Sequence, residues 1–181
     1  MSATITHMTA EELFNMPDDG FHRHELIKGA LLTMSPAGEA HGSVTLQLAG
    51  LLYVHVTANN LGRLYAAETG FKLESDPDTV LAPDISFIAR ERAGTLSPFY
   101  RTGPPDLAVE VRSQWDRRGQ IERKTALWLE LGAKSVWNVD PRKRTVEGVR
   151  ADGERKLLHE SDELVDDTVP GFRVAVAKIF E

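Results

Sequence analysis

The chain has no cysteine, which excludes a disulfide framework, a zinc–thiolate site, a thiol nucleophile and an iron–sulfur cluster. No apolar run approaches the roughly 20 residues of a membrane span. The start, MSATITHMTAEELF, lacks the basic-then-apolar pattern of a signal peptide. There is no internal repeat, low-complexity tract or dividing linker, and no Gly-rich phosphate loop or Gly-x-Ser-x-Gly elbow. What remains is 181 residues, 41% hydrophobic, 27% charged and 7% aromatic. That composition predicts a water-soluble, cytoplasmic, single domain over residues 1–181, large enough to bury roughly 70% of its unfolded surface around one core.

A basic excess is also lacking. The net charge is −6, so the molecule as a whole is no basic nucleic-acid coat. The charge is nevertheless segregated. Arg112, Arg117, Arg118, Arg123 and Lys124 outnumber Asp116 and Glu122 in one short stretch, whereas residues 160–167 hold five acids and no base. The basic stretch reads either as a solvated helix face or as a local anion-binding face, and the acidic run as a loop.

Thr9-Ala10-Glu11-Glu12 reads as a capping box opening a short helix that Pro17 and Gly20 stop. A hairpin is expected over 24–34 with Lys28-Gly29 at its turn. Val44, Leu48, Leu51 and Leu52 predict a helix from about His41 to Val56. Strands are predicted at 63–67, 70–73 and 84–89, then a loop over 90–105 and the clearest strand, Asp106 to Arg112. A helix over about 116–131, strands at 135–139, 144–149 and 156–159, and a last apolar strand at 169–176 complete the reading. Strand, helix, strand over 106–139 is a crossover unit, so the expected fold class is α/β (α+β): a mixed central β-sheet flanked by helices.

Three polar residues intrude where apolar ones are expected. Alternation on the strand 106–112 puts Leu107, Val109 and Val111 on one face and Ala108, Glu110 and Arg112 on the other. Glu110 is thereby a carboxylate in mid-strand that needs a cation, a hydrogen-bond network or water. At 100° per residue, Lys124 shares the sheet-facing stripe of its helix with Ile121, Trp128 and Leu131. It either snorkels past Trp128 or reaches Glu110. Asp84 follows Pro83 at a strand start, as a turn cap or as a second acid at the sheet end. Two carboxylates and a lysine at sheet ends suit metal-assisted phosphodiester cleavage. Mg²⁺ takes oxygen ligands, typically one or two carboxylates, and a lysine can offset phosphoryl charge. His22 and His24, two apart beside Glu25, form a weaker zinc-like pattern. His41 reads most simply as a cap or a solvent-facing residue, with the site as its other option, and Asp140-Pro141 reads as a turn.

Pro83-Asp84 followed by Glu110-Val111-Arg112 resembles the motif of the PD-(D/E)XK nuclease superfamily, the restriction-endonuclease-like fold. Further stretches are similar to its bacterial branch long filed as a domain of unknown function and abundant in cyanobacteria. They are His24-Glu25-Leu26-Ile27-Lys28-Gly29, Ala67-Glu68-Thr69-Gly70-Phe71, Ala82-Pro83-Asp84-Ile85-Ser86-Phe87, Pro105-Asp106-Leu107-Ala108-Val109-Glu110-Val111 and Trp137-Asn138-Val139-Asp140-Pro141. The resemblance implies that Asp84, Glu110 and the Val111 carbonyl, joined by Glu25, hold Mg²⁺ or Mn²⁺. It also implies in-line hydrolysis leaving a 5′-phosphate. The superfamily's usual lysine position holds Arg112, a poor stand-in, and the resemblance maps the catalytic cation onto Lys124. Ser113-Gln114-Trp115 departs from the Ser-Pro-Ser usual in relatives.

The expected function is therefore a metal-dependent DNA endonuclease, with RNA as another possible substrate. Glu25, Asp84, Glu110 and Lys124 would form its site, and Arg112, Arg117, Arg118 and Arg123 would touch phosphates. Cutting two strands predicts a homodimer with two clefts. The alternative is a non-catalytic module that keeps the fold and binds nucleic acid or protein through its basic helix.

Overall fold

The computed structural model describes residues 7–17, 20 and 22–181, so residues 1–6, read above for a signal pattern, lie outside it. In chain order the elements are α1 (Ala10–Phe14), β1 (Arg23–Ile27), β2 (Ala30–Met34), α2 (Glu39–Ala58), β3 (Gly62–Ala66), β4 (Phe71–Glu74), β5 (Thr79–Leu81), β6 (Ile85–Ala89), α3 (Arg90–Ala93), β7 (Arg101–Thr102) and β8 (Leu107–Val111). There follow α4 (Arg118–Glu130), β9 (Ser135–Asp140), β10 (Thr145–Arg150), β11 (Arg155–Leu158), β12 (Glu163–Val165), β13 (Arg173–Ala175) and a closing 3₁₀ turn, Val176–Phe180.

The chain is a mixed α+β fold. A six-stranded sheet runs β11-β10-β9-β8-β6-β3, a five-stranded sheet runs β2-β1-β5-β4-β7, and β12 pairs with β13. Within the six-stranded sheet only β8 and β9 are parallel, Glu110 opposite Asn138. Parallel neighbours need a crossover, which α4 supplies.

Local chemistry explains the elements. Thr9 accepts from the Glu12 N–H while the Glu12 carboxylate takes the Thr9 N–H, the reciprocal cap that the sequence announced. Lys28 and Gly29 both adopt positive φ, +48° and +77°, joining β1 to β2 through a two-residue turn whose twist suits a hairpin. The alternation read on β8 also holds. Leu107, Val109 and Val111 pack with Leu48 and Leu52 of α2 and with Phe172, Val176 and Ile179 of the C-terminal segment. Ala108, on the other face, packs with Trp128 of α4 and with Phe71 and Leu81 of the five-stranded sheet.

Several expectations are corrected. Residues 79–81, between an Asp/Pro turn and Pro83, form the short β5, which ties β1 to β4. Inside the expected loop 90–105, α3 and β7 form, and β7 pairs parallel with β4. The acidic run 160–167 is no free loop. Glu163 to Val165 become β12, and Glu160, Glu163 and Asp166 pair with Arg144, Arg173 and Arg150 brought from elsewhere in the chain. The expected strand 169–176 begins instead with a turn, where Gly171 at φ +73° and a Phe172 N–H to Val169 carbonyl bond bend the chain. Only Arg173–Ala175 then extend.

Candidate active site

The segment Ala82-Pro83-Asp84 carries the chain from β5 in one sheet to β6 in the other. Proline has no N–H for a ladder, but Asp84 supplies the pairing on both sides of itself. Its N–H donates to the Val109 carbonyl at 3.0 Å, and its Oδ2 accepts the Val111 N–H at 2.8 Å. A side-chain carboxylate thus continues the β6–β8 ladder, and it is held against the C-terminal end of β8. Because a strand residue directs its N–H and C=O to the same side, the Val111 carbonyl points toward Asp84 as well.

Glu25 comes from β1 of the five-stranded sheet, where Arg23 and Glu25 share one face and His24 and Leu26 the other. Its Oε1 accepts the Ala82 N–H at 2.9 Å. Lys124, from α4, places Nζ 3.0 Å from Glu25 Oε1 and 3.1 Å from Glu110 Oε1. One helical turn on, the fully buried Trp128 donates its indole N–H to the same Glu110 oxygen at 2.8 Å. Position i and position i+4 of one helix therefore clasp a single carboxylate. Four separate elements and one crossover converge here, since His41 of α2 also sets Nε2 3.2 Å from Asp84 Oδ2 and Arg23 sets Nη1 3.4 Å from Oδ1.

The electrostatics follow from burial and these neighbours. Burial pushes the Glu110 carboxyl up, the Asp84 and Glu25 charges add to the push, and Lys124 and Trp128 oppose it; the result is about 7. Burial also works against ionised Asp84, but His41, the Val111 N–H and Lys124 outweigh it and hold that carboxyl below its ordinary value. Lys124 is held firmly protonated: burial disfavours its charge, and the charges and hydrogen bonds of Glu110 and Glu25 more than reverse this.

The donor set fits a hard cation, since three carboxylates and a backbone carbonyl are all-oxygen ligands. Among the described residues, no three acidic or histidine side chains are already gathered closely enough to enclose an ion. Side chains of the protein occupy that role: the Lys124 ammonium lies on Oε1 of both glutamates, and the His41 imidazole and the Arg23 guanidinium lie on Asp84. The described contacts leave Oε2 of Glu25 and Glu110 outside them.

The remaining sequence candidates lie elsewhere. Arg112 is turned to Asp140, Nη1 to Oδ2 at 3.0 Å, and Asp140 also accepts the Arg142 and Lys143 N–H groups. The predicted turn residue is therefore also the counter-ion of Arg112. Arg117, Arg118 and Arg123 are exposed at the start of α4, Arg118 paired with Glu122. The zinc-like pattern dissolves, because His24 faces away from Glu25 and bonds across the hairpin to Thr33. His41 is corrected too. The helix begins two residues earlier than its apolar spacing showed, so His41 stands in the first turn, its side chain only 10% exposed, against Asp84 rather than in solvent. Arg23 was not singled out at all, although its i, i+2 relation to Glu25 was the available signal. A cavity of about 610 Å³, lined by Leu61, Phe87, Lys134 and Arg150 among others, lies toward the opposite end of β8 and β9 from this cluster.

Carboxylates crossing from one sheet to another onto the end of a central strand, with a helix lysine between them, define a restriction-endonuclease-like protein. The chain belongs to the Uma2 family, described as "Putative restriction endonuclease", whose model matches residues 10–177. Its fold is similar to that of a solved protein from Anabaena variabilis, titled a "putative nuclease belonging to DUF820". The TM-score is 0.80 at 18% identity, covering 96% of this chain and 97% of the other. No curated protein matches the chain.

Proposed function

We propose that this protein is a metal-dependent DNA endonuclease whose site is the Glu25, Asp84, Glu110 and Lys124 cluster. The observation that carries this reading is Lys124 Nζ within 3.1 Å of both Glu25 and Glu110, at the strand end where Asp84 is pinned. Asp84, Glu110, Glu25 and the Val111 carbonyl would hold Mg²⁺ or Mn²⁺, which when bound polarises a phosphoryl oxygen and acidifies water. Asp84 is kept ionised and ready to bind. Glu110 must give up its proton, or yield Lys124, to do so. Lys124 keeps a compact positive charge beside the cluster, where it would orient the attacking water or offset charge growing on the phosphoryl oxygens. Arg112, engaged by Asp140, is not placed to substitute for it. Exposed Arg117, Arg118 and Arg123 would meet backbone phosphates, and a homodimer would present two clefts to a duplex.

Plasmid nicking with Mn²⁺ and with EDTA tests this. Wild type should nick only with the metal. Lys124→Ala should lose about 10²-fold or more in rate with its fold intact, and Lys124→Arg should recover little of it. Mn²⁺ should also raise the melting temperature, and Asp84→Asn should abolish that rise. A folded wild type that binds nucleic acid yet never cleaves it would establish the non-catalytic module instead.

A further inference from the structure

Trp115 is the most exposed large apolar side chain described, at 80%, while the other two tryptophans, Trp128 and Trp137, are fully buried. Trp128 and Trp137 both have their indole N–H engaged, by Glu110 and by Asp166. Trp115 shows no hydrogen bond or ring contact from its indole among the described residues. A single exposed aliphatic needs no explanation, but an indole presented whole to solvent is a large uncovered surface.

The backbone beneath it is tied down. The Ser113 N–H donates to Asp116 Oδ2 at 2.7 Å, the Trp115 N–H donates to Ser113 Oγ at 3.2 Å, and the Asp116 N–H reaches the Ser113 carbonyl at 3.4 Å. The turn hangs between two anchored points, Arg112 bound to Asp140 before it and α4 after it. Its place is set by the cluster. Trp115 follows Glu110 by five positions, a reach of at most about 18 Å, shortened by the turn. Along one strand of a duplex, at about 3.4 Å per nucleotide, that is no more than about five nucleotides from the cluster. Trp115 is followed by exposed Arg117 and Arg123, neither with an ion pair among the described residues.

We infer that Trp115 is a stacking platform for an unpaired base beside the scissile phosphate, so that the substrate is single-stranded DNA or DNA opened at the cut. The inference rests on the nuclease reading of the neighbouring cluster. An indole face beside uncompensated guanidinium groups is what an unpaired nucleotide offers complements to: a π-face for the ring and phosphates for the arginines. A paired base inside a duplex hides its π-face in the stack, so it cannot use the ring.

Fluorescence gives a direct readout, because of three tryptophans only Trp115 is open to solvent. The full chain is titrated in EDTA, where cleavage is blocked, with a short single-stranded oligodeoxynucleotide and with its blunt duplex. The single strand should quench the emission. Trp115→Ala lacks the reporting indole, so its affinity is read from the anisotropy of a dye-labelled oligodeoxynucleotide alongside wild type; it should weaken single-strand binding by about 5- to 100-fold, the size of one base stack, and Trp115→Phe should restore most of it. The salt slope should stay unchanged because no charge is removed, whereas Arg117→Ala should flatten it. Equal affinity of Trp115→Ala and wild type, or quenching as strong with blunt duplex as with the single strand, would overturn the inference. So would a loss of dimer mass in Trp115→Ala with binding unchanged, which would make the indole a contact between copies. If any of these occurs while wild type still nicks plasmid in Mn²⁺, only the stacking role falls. Absence of both binding and nicking removes the nuclease reading itself.

Discussion

An ammonium shared by the buried Glu25 and the partly buried Glu110 cannot fully compensate both, and Glu110 shows the deficit. Its carboxyl is pushed to about 7 by burial and by the neighbouring acids, while Asp84, with an imidazole, a backbone N–H and the more distant Lys124 charge, stays ionised. A ligand carboxyl must be deprotonated to bind an ion, so binding releases its proton. Mn²⁺ affinity should therefore fall about tenfold for each pH unit below about 7 and level off above it. Asp84, whose carboxyl lies below the ordinary range, adds no dependence there. Isothermal titration across pH 5.5–8.5 measures this, and Glu110→Gln should flatten the profile. Glu110 and Lys124 were both legible as misfits, an acid on a strand face and a lysine on an apolar stripe. His41 was not: it lies at a helix start, where residues often cap or face water, and only the fold brings Asp84 to it.

Strand β8 and helix α4 could be read from periodicity alone, and together they deliver Glu110 and Lys124 to one place. Thr125 and Asn138, both buried, bond to each other and fix the register of α4 over β9. Losing that pair would move the whole clasp. Thr125→Val should leave the Asn138 amide unpaired and cost about 1–3 kcal/mol. It should also reduce cleavage although it touches no proposed ligand; urea melts and nicking rates of the same preparation check both. The three residues of β5 had no such pattern. Their strand character comes from pairing with β1 and β4, partners 54 and 5 to 10 positions away in sequence.

At the scale of the molecule, the crossover at Pro83-Asp84 joins the two larger sheets, and among the described residues their edge strands are β2, β7, β3 and β11. Strand β2 is the most apolar of these, with Leu31 and Leu32 each 41% exposed. An exposed edge of this kind is a template for a second copy, and two-fold pairing there would carry two clefts. Light scattering at tens of micromolar should give twice the 20.1 kDa chain mass. Leu31→Lys with Leu32→Lys should give the monomer mass without unfolding, since neither side chain is in the core.

Sequence by itself determined the α+β class, the β8-α4-β9 crossover, the hairpin with its Lys28-Gly29 turn and the capping box, because each is written in residues that lie close together along the chain. It also marked Asp84, Glu110 and Lys124 as polar groups in apolar surroundings. Only the tertiary structure decided the second sheet, the pairing of the acidic run with distant arginines, the turning of Arg112 to Asp140, and the meeting of Glu25, Arg23 and His41 with the cluster. Those side-chain contacts join residues from 10 to 99 positions apart. No local propensity encodes them; they follow from closing the chain around a shared core, which brings together groups whose charges then select one another.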